Sequence, residues 1–137
     1  MDIWNKSSRS KIMSLVNQKD TKPELVVRKY LFAAGFRYRK NDRRLPGSPD
    51  IVLPKYKTVV FVNGCFWHGH DCRAGRRPQS NEAYWNEKLE GNIIRDRKKI
   101  EQIEALEWKV LIVWQCEIKN IESRKQRLER LVEEIKQ

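Results

Sequence analysis

Nine consecutive residues, Gly64-Cys65-Phe66-Trp67-His68-Gly69-His70-Asp71-Cys72, constrain this chain more than any other stretch. They hold both of its histidines and two of its three cysteines, and they follow directly on a β-branched apolar run, Thr58 to Val62. Soft ligands, imidazole and flat aromatic surface therefore leave the end of a strand together. The fold must hold that strand end firmly and still leave part of the loop reachable.

The third cysteine, Cys116, follows a second apolar run, Trp108 to Trp114. The start, Met1-Asp2-Ile3-Trp4-Asn5-Lys6, has no signal-peptide apolar region, so the reducing cytoplasm is the expected compartment. There an odd number of cysteines beside histidines reads as metal-binding or reactive before it reads as disulfide. Cys65, His70, Cys72 and Cys116 together form a three-cysteine, one-histidine set, the donor set of a closed tetrahedral zinc site with no position left for chemistry. The expectation is a structural zinc that pins an aromatic loop to a sheet. The alternative is a set of buried or free thiols with an unrelated histidine.

Committing His70 to zinc leaves His68 as the other imidazole, with an unperturbed pKa of about 6.5 that suits proton transfer near neutrality. A loop histidine bonded to a backbone carbonyl is the plainer reading. Phe66 and Trp67 can stack on bases or wedge between them, or simply cover the core, and their solvent exposure decides between the two.

Charge narrows the class of partner. Lys plus Arg number 29 against 18 Asp plus Glu, a net +11, and such a field draws polyanions, nucleic acid first. A solvated basic surface with no dedicated ligand is the alternative. The longest apolar run, Val110 to Trp114, falls far short of the ~18 residues of a membrane span, so no membrane partner is expected. At 137 residues the chain is the size of one domain, and it shows no repeat, linker or low-complexity tract.

Read in order, Ile12, Met13, Leu15 and Val16 line one side of a short helix starting near Ser8 or Ser10. Arg9 and Lys11 flank that stripe and can follow a phosphate backbone, or the helix can simply dock by its apolar side. Thr21-Lys22-Pro23-Glu24 has the form of a capping box opening a helix from Glu24 to Ala34, with Gly35 closing it. Phe36 to Arg39 alternates as a strand, and a loop carrying Pro46-Gly47-Ser48-Pro49 follows. Asp50 to Leu53 and Thr58 to Val62 read as an antiparallel hairpin turning at 54–57. A helix capped by Ser80 or Asn81 runs to about Leu106, open to a break at Gly91-Asn92. Its apolar side would carry Tyr84, Trp85, Leu89, Ile93, Ile94, Ile100, Ile103 and Leu106. Trp108 to Trp114 reads as a buried central strand, and an amphipathic helix from Glu122 to Lys136 fills the 120–137 tail. One α/β domain over residues 1–137 accounts for everything.

A hairpin of this kind brings Asp50, at the start of one strand, close to Asn63, at the end of the other. Carboxylates at strand ends are how many nucleases assemble a magnesium site, although an Asp after a proline also often only caps a turn.

Taken together these strings resemble the very-short-patch repair endonucleases, which nick DNA at thymine-guanine mismatches left by deamination of 5-methylcytosine. The matching pieces are Leu45-Pro46-Gly47-Ser48-Pro49-Asp50, Val60 to His68, the His70 and Cys72 pair, Tyr84-Trp85, Asn92, Arg95-Asp96-Arg97, and Trp108 to Trp114 leading to Cys116. Ser8-Arg9-Ser10-Lys11 and Thr21 to Glu24 also fall in place, so the resemblance spans residues 6–118.

The resemblance implies a restriction-endonuclease-like, PD-(D/E)XK-type mixed sheet flanked by helices, with a structural zinc. It implies catalytic Mg²⁺ on Asp50 and the main-chain carbonyl of Val62, with Glu24 and His68 around the attacking water and His68 as general base. Phe66, Trp67 and Trp85 would enter the duplex beside the mismatch, and residues 1–20, with Arg9 and Lys11, would contact DNA from the other groove. A monomer acting at the nucleoid, functionally linked to a DNA cytosine methyltransferase and to mismatch-repair proteins, is also implied. One departure stands out: the family pattern has histidine where this chain has Asn63, and threonine where it has Val62. A carbonyl ligand survives the change at Val62, but Asn63 can carry neither a proton nor a charge, so it would serve the reaction by hydrogen bonding alone. The departure keeps two further readings open, a nickase or restriction-type nuclease of different specificity and a catalytically impaired zinc-stabilised DNA-binding module.

Overall fold

A computed structural model describes residues 22–137. The helix expected from Ser8 or Ser10, Arg9, Lys11 and the Thr21 half of the capping box lie outside the described residues. Helix α1 spans Lys22–Ala33, with Pro23 in its first turn, where a missing N–H leaves no bond unmade. Gly35 ends it in a left-handed conformation, φ 95°. Its N–H donates to Phe32 O and the Phe36 N–H to Leu31 O, both at 3.0 Å, the bond pair of a Schellman closure.

That closure corrects the expected strand from Phe36 to Arg39. Phe36 is 3% exposed and its amide is committed to the helix end, so strand β1 is only Arg39–Lys40. Strand β2 is Ile51–Leu53 and β3 is Thr58–Asn63, antiparallel as expected, with Ile51 opposite Val60 and Leu53 opposite Thr58. Between them Pro54–Tyr56 makes a single 3₁₀ turn and Lys57 turns left-handed, φ 47°.

Strand β4, Lys109–Trp114, lies parallel to β3, from Thr58 opposite Lys109 to Asn63 opposite Trp114. Helix α2, Glu82–Ala105, makes the crossover that a parallel pair requires. The order is β1-β2-β3-β4, so β4 is an edge strand among the described residues, not the buried central one, and only its Val113 is fully buried. Its apolar run has a different cause. The last helix, α3 (Ile121–Lys136), covers the strand, and Arg127 donates from Nη2 to Ile112 O at 2.9 Å, giving the edge a side-chain partner in place of a further strand.

The alternation of the strands sorts the core onto two faces. Ile51, Leu53, Val60 and Val113 meet Val27 and Leu31 of α1 and Leu128, Leu131 and Ile135 of α3. Val52 and Val59 face the other way, toward Ile103 of α2. Each fully buried Leu or Ile in these layers contributes about 1.5–3 kcal/mol relative to exposure. The result is a mixed four-stranded sheet between helices, and among the described residues no helix is long and apolar enough to cross a membrane.

Helix α2 runs unbroken through Gly91-Asn92. The Asn92 side chain donates to Trp67 O at 2.9 Å, so it does not compete for the helix backbone. The buried side of α2 is narrower than its sequence pattern, with Leu89 and Ile103 fully buried but Tyr84, Ile94 and Leu106 at least half exposed. Asn81 precedes the helix at φ 53° without a capping side-chain bond, whereas Asn120 caps α3 by accepting from the Ser123 N–H at 2.8 Å.

Candidate active site and metal centre

The last residue of β3 opens directly into the loop that carries the metal-type ligands. The His70 N–H donates to Cys65 O at 2.9 Å and the Cys72 N–H to His70 O at 3.0 Å, folding the loop back on itself. Gly75 closes the turn from beneath. A Cβ there would stand 2.0 Å from His70 O, so this position has no room for any side chain.

That folding gathers Cys65, His70 and Cys72 with Cys116, which arrives from the 3₁₀ turn Gln115–Ile118 after β4. Their ligand atoms all lie within 4.8 Å of one another, comparable to the roughly 3.8 Å between sulfurs around a tetrahedral zinc. Cys116 Sγ is 3.6 Å from His70 Nδ1, and the Cys116 N–H donates to Cys65 Sγ at 3.3 Å. The His70 ring stacks on Trp114, centroids 4.0 Å apart and 13° from parallel, which fixes its plane. Desolvation raises the Cys65 thiol, and desolvation followed by the nearness of Cys65 and Cys72 pushes Cys116 up to about 12. Desolvation acts upward on Cys72 too, but bonds from His70 and the Gly75 amide outweigh it and bring the thiol down to about 7. Three sulfurs this close cannot all be negative unless a cation lies among them, and a coordinated thiol is deprotonated outright. The four residues can therefore hold a metal ion.

A second cluster lies on the other side of the same strand end. Asp50 Oδ2 accepts from the Val62 N–H at 2.7 Å. In an extended strand a residue's N–H and C=O point to the same edge, so the Val62 carbonyl also faces the Asp50 side, beyond the start of β2. Glu24 and Arg28, both 3% exposed, close the site from α1, with Arg28 Nη2 3.6 Å from Glu24 Oε2. Asp50 is raised from the ordinary 3.8 to about 7, by desolvation first and then by its hydrogen bond with Glu24, against the lowering effects of the Val62 amide and Arg28. The half-buried Asp50 carboxylate beside the buried Glu24 is a donor set of hard oxygens that a divalent cation can satisfy. The hairpin sets Asp50 against Val62, and Asn63, 7% exposed, lies one residue further along.

A cleft of about 480 Å³ joins these residues to His68, with Glu24, Asp50, Asn63 and Asp96 among its walls. His68 Nδ1 lies 2.5 Å from Asp96 Oδ2 of α2, which leaves Nε2 as the ring nitrogen without that partner. Asp96 is the cleft residue to which the sequence reading gave no role, although Arg95-Asp96-Arg97 is among the strings that carry the family resemblance. Its signal was its position as the lone acid inside Arg95-Asp96-Arg97-Lys98-Lys99, a run that looks like a solvated helix face.

Beside the cleft the aromatics form one group. Phe66 and Trp67 have ring centroids 5.0 Å apart, and Trp85 meets Phe66 edge-on at 5.3 Å and Trp67 at 6.1 Å. Tyr84, 59% exposed, extends the group outward at 5.2 Å from Trp85. Phe66, Trp67 and Trp85 are all half-buried, packed at the base yet open to solvent, so the group retains surface for a stacking partner.

Comparison with known proteins gives the chain its relatives. The sequence model of a family described as DNA mismatch endonuclease Vsr matches residues 1–74. The type II nicking enzyme V.NmeAIP of Neisseria meningitidis is 54% identical over 98% of this chain and 96% of its own length. The type II nicking enzyme V.XorIIP of Xanthomonas oryzae is 43% identical over 96% and 97%. The DNA mismatch endonuclease Vsr of Escherichia coli is 39% identical over 88% of this chain and 78% of its own length.

Proposed function

The chain belongs to the Vsr family and is a DNA endonuclease, and on that premise we propose that it nicks one strand of a duplex 5′ to the thymine of a T·G mismatch. The observation that carries the reading is one cleft holding the Asp50 carboxylate on the Val62 amide, the His68–Asp96 pair and, at its rim, a half-exposed aromatic group. In this reading the sheet is of the PD-(D/E)XK type, residues 1–137 are one monomeric domain, and residues 1–20 contact DNA through Arg9 and Lys11.

Asp50 and the Val62 carbonyl are hard oxygen donors on one edge and would hold Mg²⁺, which supplies Lewis-acid stabilisation of charge on the phosphate. Glu24 accepts a hydrogen bond from the attacking water. His68 takes the water's proton at Nε2, while Asp96 holds the Nδ1–H tautomer and stabilises the imidazolium that forms. Asn63 offers its amide N–H groups to the oxygen on which negative charge accumulates. The water oxygen bonds to phosphorus from the side opposite O3′, the P–O3′ bond breaks, and the departing O3′ takes up a proton from solvent, which leaves a 3′-hydroxyl and a 5′-phosphate. Phe66, Trp67 and Trp85 fill the gap opened beside the mismatched pair, and Zn²⁺ on Cys65, His70, Cys72 and Cys116 would hold their loop in place.

The test is a panel of strand-labelled duplexes carrying each mismatch, assayed with Mg²⁺ and then with EDTA. A Mg²⁺-dependent nick confined to the thymine strand of the T·G duplex is expected, and no nick on any duplex would overturn the reading. The names of two relatives, both type II nicking enzymes, favour a second reading in which fully paired sites are cut. Equal rates on matched and mismatched duplexes would select it.

A further inference from the structure

Among the described Lys and Arg residues, Lys99 alone lines the cleft that holds Asp50, Asn63, His68 and Asp96. It lies three residues after Asp96 on α2, so one helix face carries both the partner of His68 and this ammonium group. Among the described residues it makes no ion pair or hydrogen bond, whereas Arg28, on the α1 side, is paired with Glu24.

The loop before Asp50 is shaped around the lysine stem. Gly47 stands at φ 76°, and a Cβ there would lie 2.6 Å from Lys99 Cδ, 2.9 Å from Cγ and 3.1 Å from Cβ. The methylenes thus run over a bare backbone, the arrangement by which a long cationic side chain covers its stem and keeps its head at the wet end. The residue is half-buried, and the cleft it lines is otherwise acidic, with Asp50, Glu24 and Asp96 among its walls. Asn63, at the end of β3, is neutral at any working pH.

We propose that Lys99 is a phosphate-binding catalytic residue of this cleft, its ammonium meeting a non-bridging oxygen of the phosphate that is cut. It supplies the positive charge that Asn63 cannot. The inference rests on the reading of the cleft as the nuclease site, and it is independent of which base pair directs the cut. A lysine suits the task as a point charge with three rotatable donors, able to follow an oxygen whose charge grows in the transition state.

The experiment compares wild type with Lys99→Met, which keeps the stem over Gly47 and removes the charge, and with Lys99→Arg, which keeps the charge. The substrate is whichever duplex of the panel the wild type nicks, under single-turnover conditions at saturating protein. Lys99→Met should lower the nicking rate about 10²-fold, with its DNA Kd within about threefold of wild type and its melting temperature unchanged. Lys99→Arg should recover at least about a tenth of the wild-type rate. A Lys99→Met rate within about threefold of wild type, or a loss found only in Kd, would overturn the role while the nuclease reading stands. Equal losses in the Met and Arg variants would also overturn it, since charge would then not be what matters. A wild type that nicks no duplex would overturn both.

Discussion

The end of β3 separates two clusters of acidic groups that differ in almost every respect. On one side Cys65, His70, Cys72 and Cys116 offer sulfur and nitrogen, four donors drawn together within 4.8 Å by a loop bonded to itself. On the other side Asp50 and Glu24 offer oxygen at the wall of a cleft of about 480 Å³. Soft donors filling a tetrahedron favour zinc and leave nothing to exchange. Hard donors in an incomplete set favour a magnesium-type ion with room for water and phosphate. Adjacent stretches of chain can therefore hold metals for opposite purposes, because donor softness and completeness decide the use more than location does.

The sharpest way to break that contrast is to remove one donor from each side. Asp50→Asn should lower nicking about 10³-fold or more, the loss of several kcal/mol of transition-state stabilisation, while zinc content and DNA binding stay as in wild type. Cys65→Ser should lose the zinc proposed for these donors and lower the melting temperature, the outcome expected where an ion ties a loop together. Activity would then fall only as a consequence, since His68, Phe66 and Trp67 ride on the same loop. Metal analysis, melting and nicking measured on both variants check the contrast. If Asp50→Asn also lost zinc, or Cys65→Ser kept its stability, the division of labour would be wrong.

A smaller effect concerns protons. Asp50, raised from 3.8 to about 7, binds a proton more tightly in the folded chain than in the unfolded one. Its contribution to the stability of the metal-free protein is therefore fully present below about pH 4 and lost as pH rises through about 7. A divalent ion competes with that proton, so apparent Mg²⁺ affinity should strengthen about tenfold between pH 6 and pH 8 and then level off. Melting curves across that range, with and without Mg²⁺, should show the ion stabilising wild type most at high pH. Asp50→Asn should show neither the fall in metal-free stability nor the gain from Mg²⁺. An equal Mg²⁺ effect at pH 6 and pH 8 would remove Asp50 from the site.

How legible each cluster was in the sequence follows from the same contrast. Cys65, His70, Cys72 and Cys116 could be grouped by residue type alone, since few other arrangements use such donors together. The hairpin was equally plain, and with it the approach of Asp50 to the end of β3. Asp96 was hidden because His68 lies 28 residues away and the acid sits in a basic run that looks like a solvated helix face. The edge position of β4 was hidden too, because an apolar run reads the same whether strands flank it on both sides or a helix covers one of them. Phe36 looked like the start of a strand, but its amide was needed to close α1, a competition that alternation alone does not reveal.

The smallest of these effects tests how much each side can yield. At the sulfur cluster a Cβ on Gly75 would meet His70 O at 2.0 Å, a backbone atom held by the ligand loop, so nothing there can move without moving a ligand. At the oxygen cluster the three atoms nearest a Cβ on Gly47 all belong to the Lys99 stem, Cδ closest at 2.6 Å, and a flexible side chain can swing aside. Gly47→Ala should therefore fold and keep its zinc, at a cost of about 1–2 kcal/mol for placing alanine at a left-handed φ of 76°. With the stem displaced, the ammonium is held less well, and the single-turnover nicking rate should fall about tenfold, less than in Lys99→Met. In the Lys99→Met background the added Gly47→Ala change should cost little further rate, because the charge it disturbs is already gone. Fully additive losses would mean that Gly47 acts on the site through something other than Lys99.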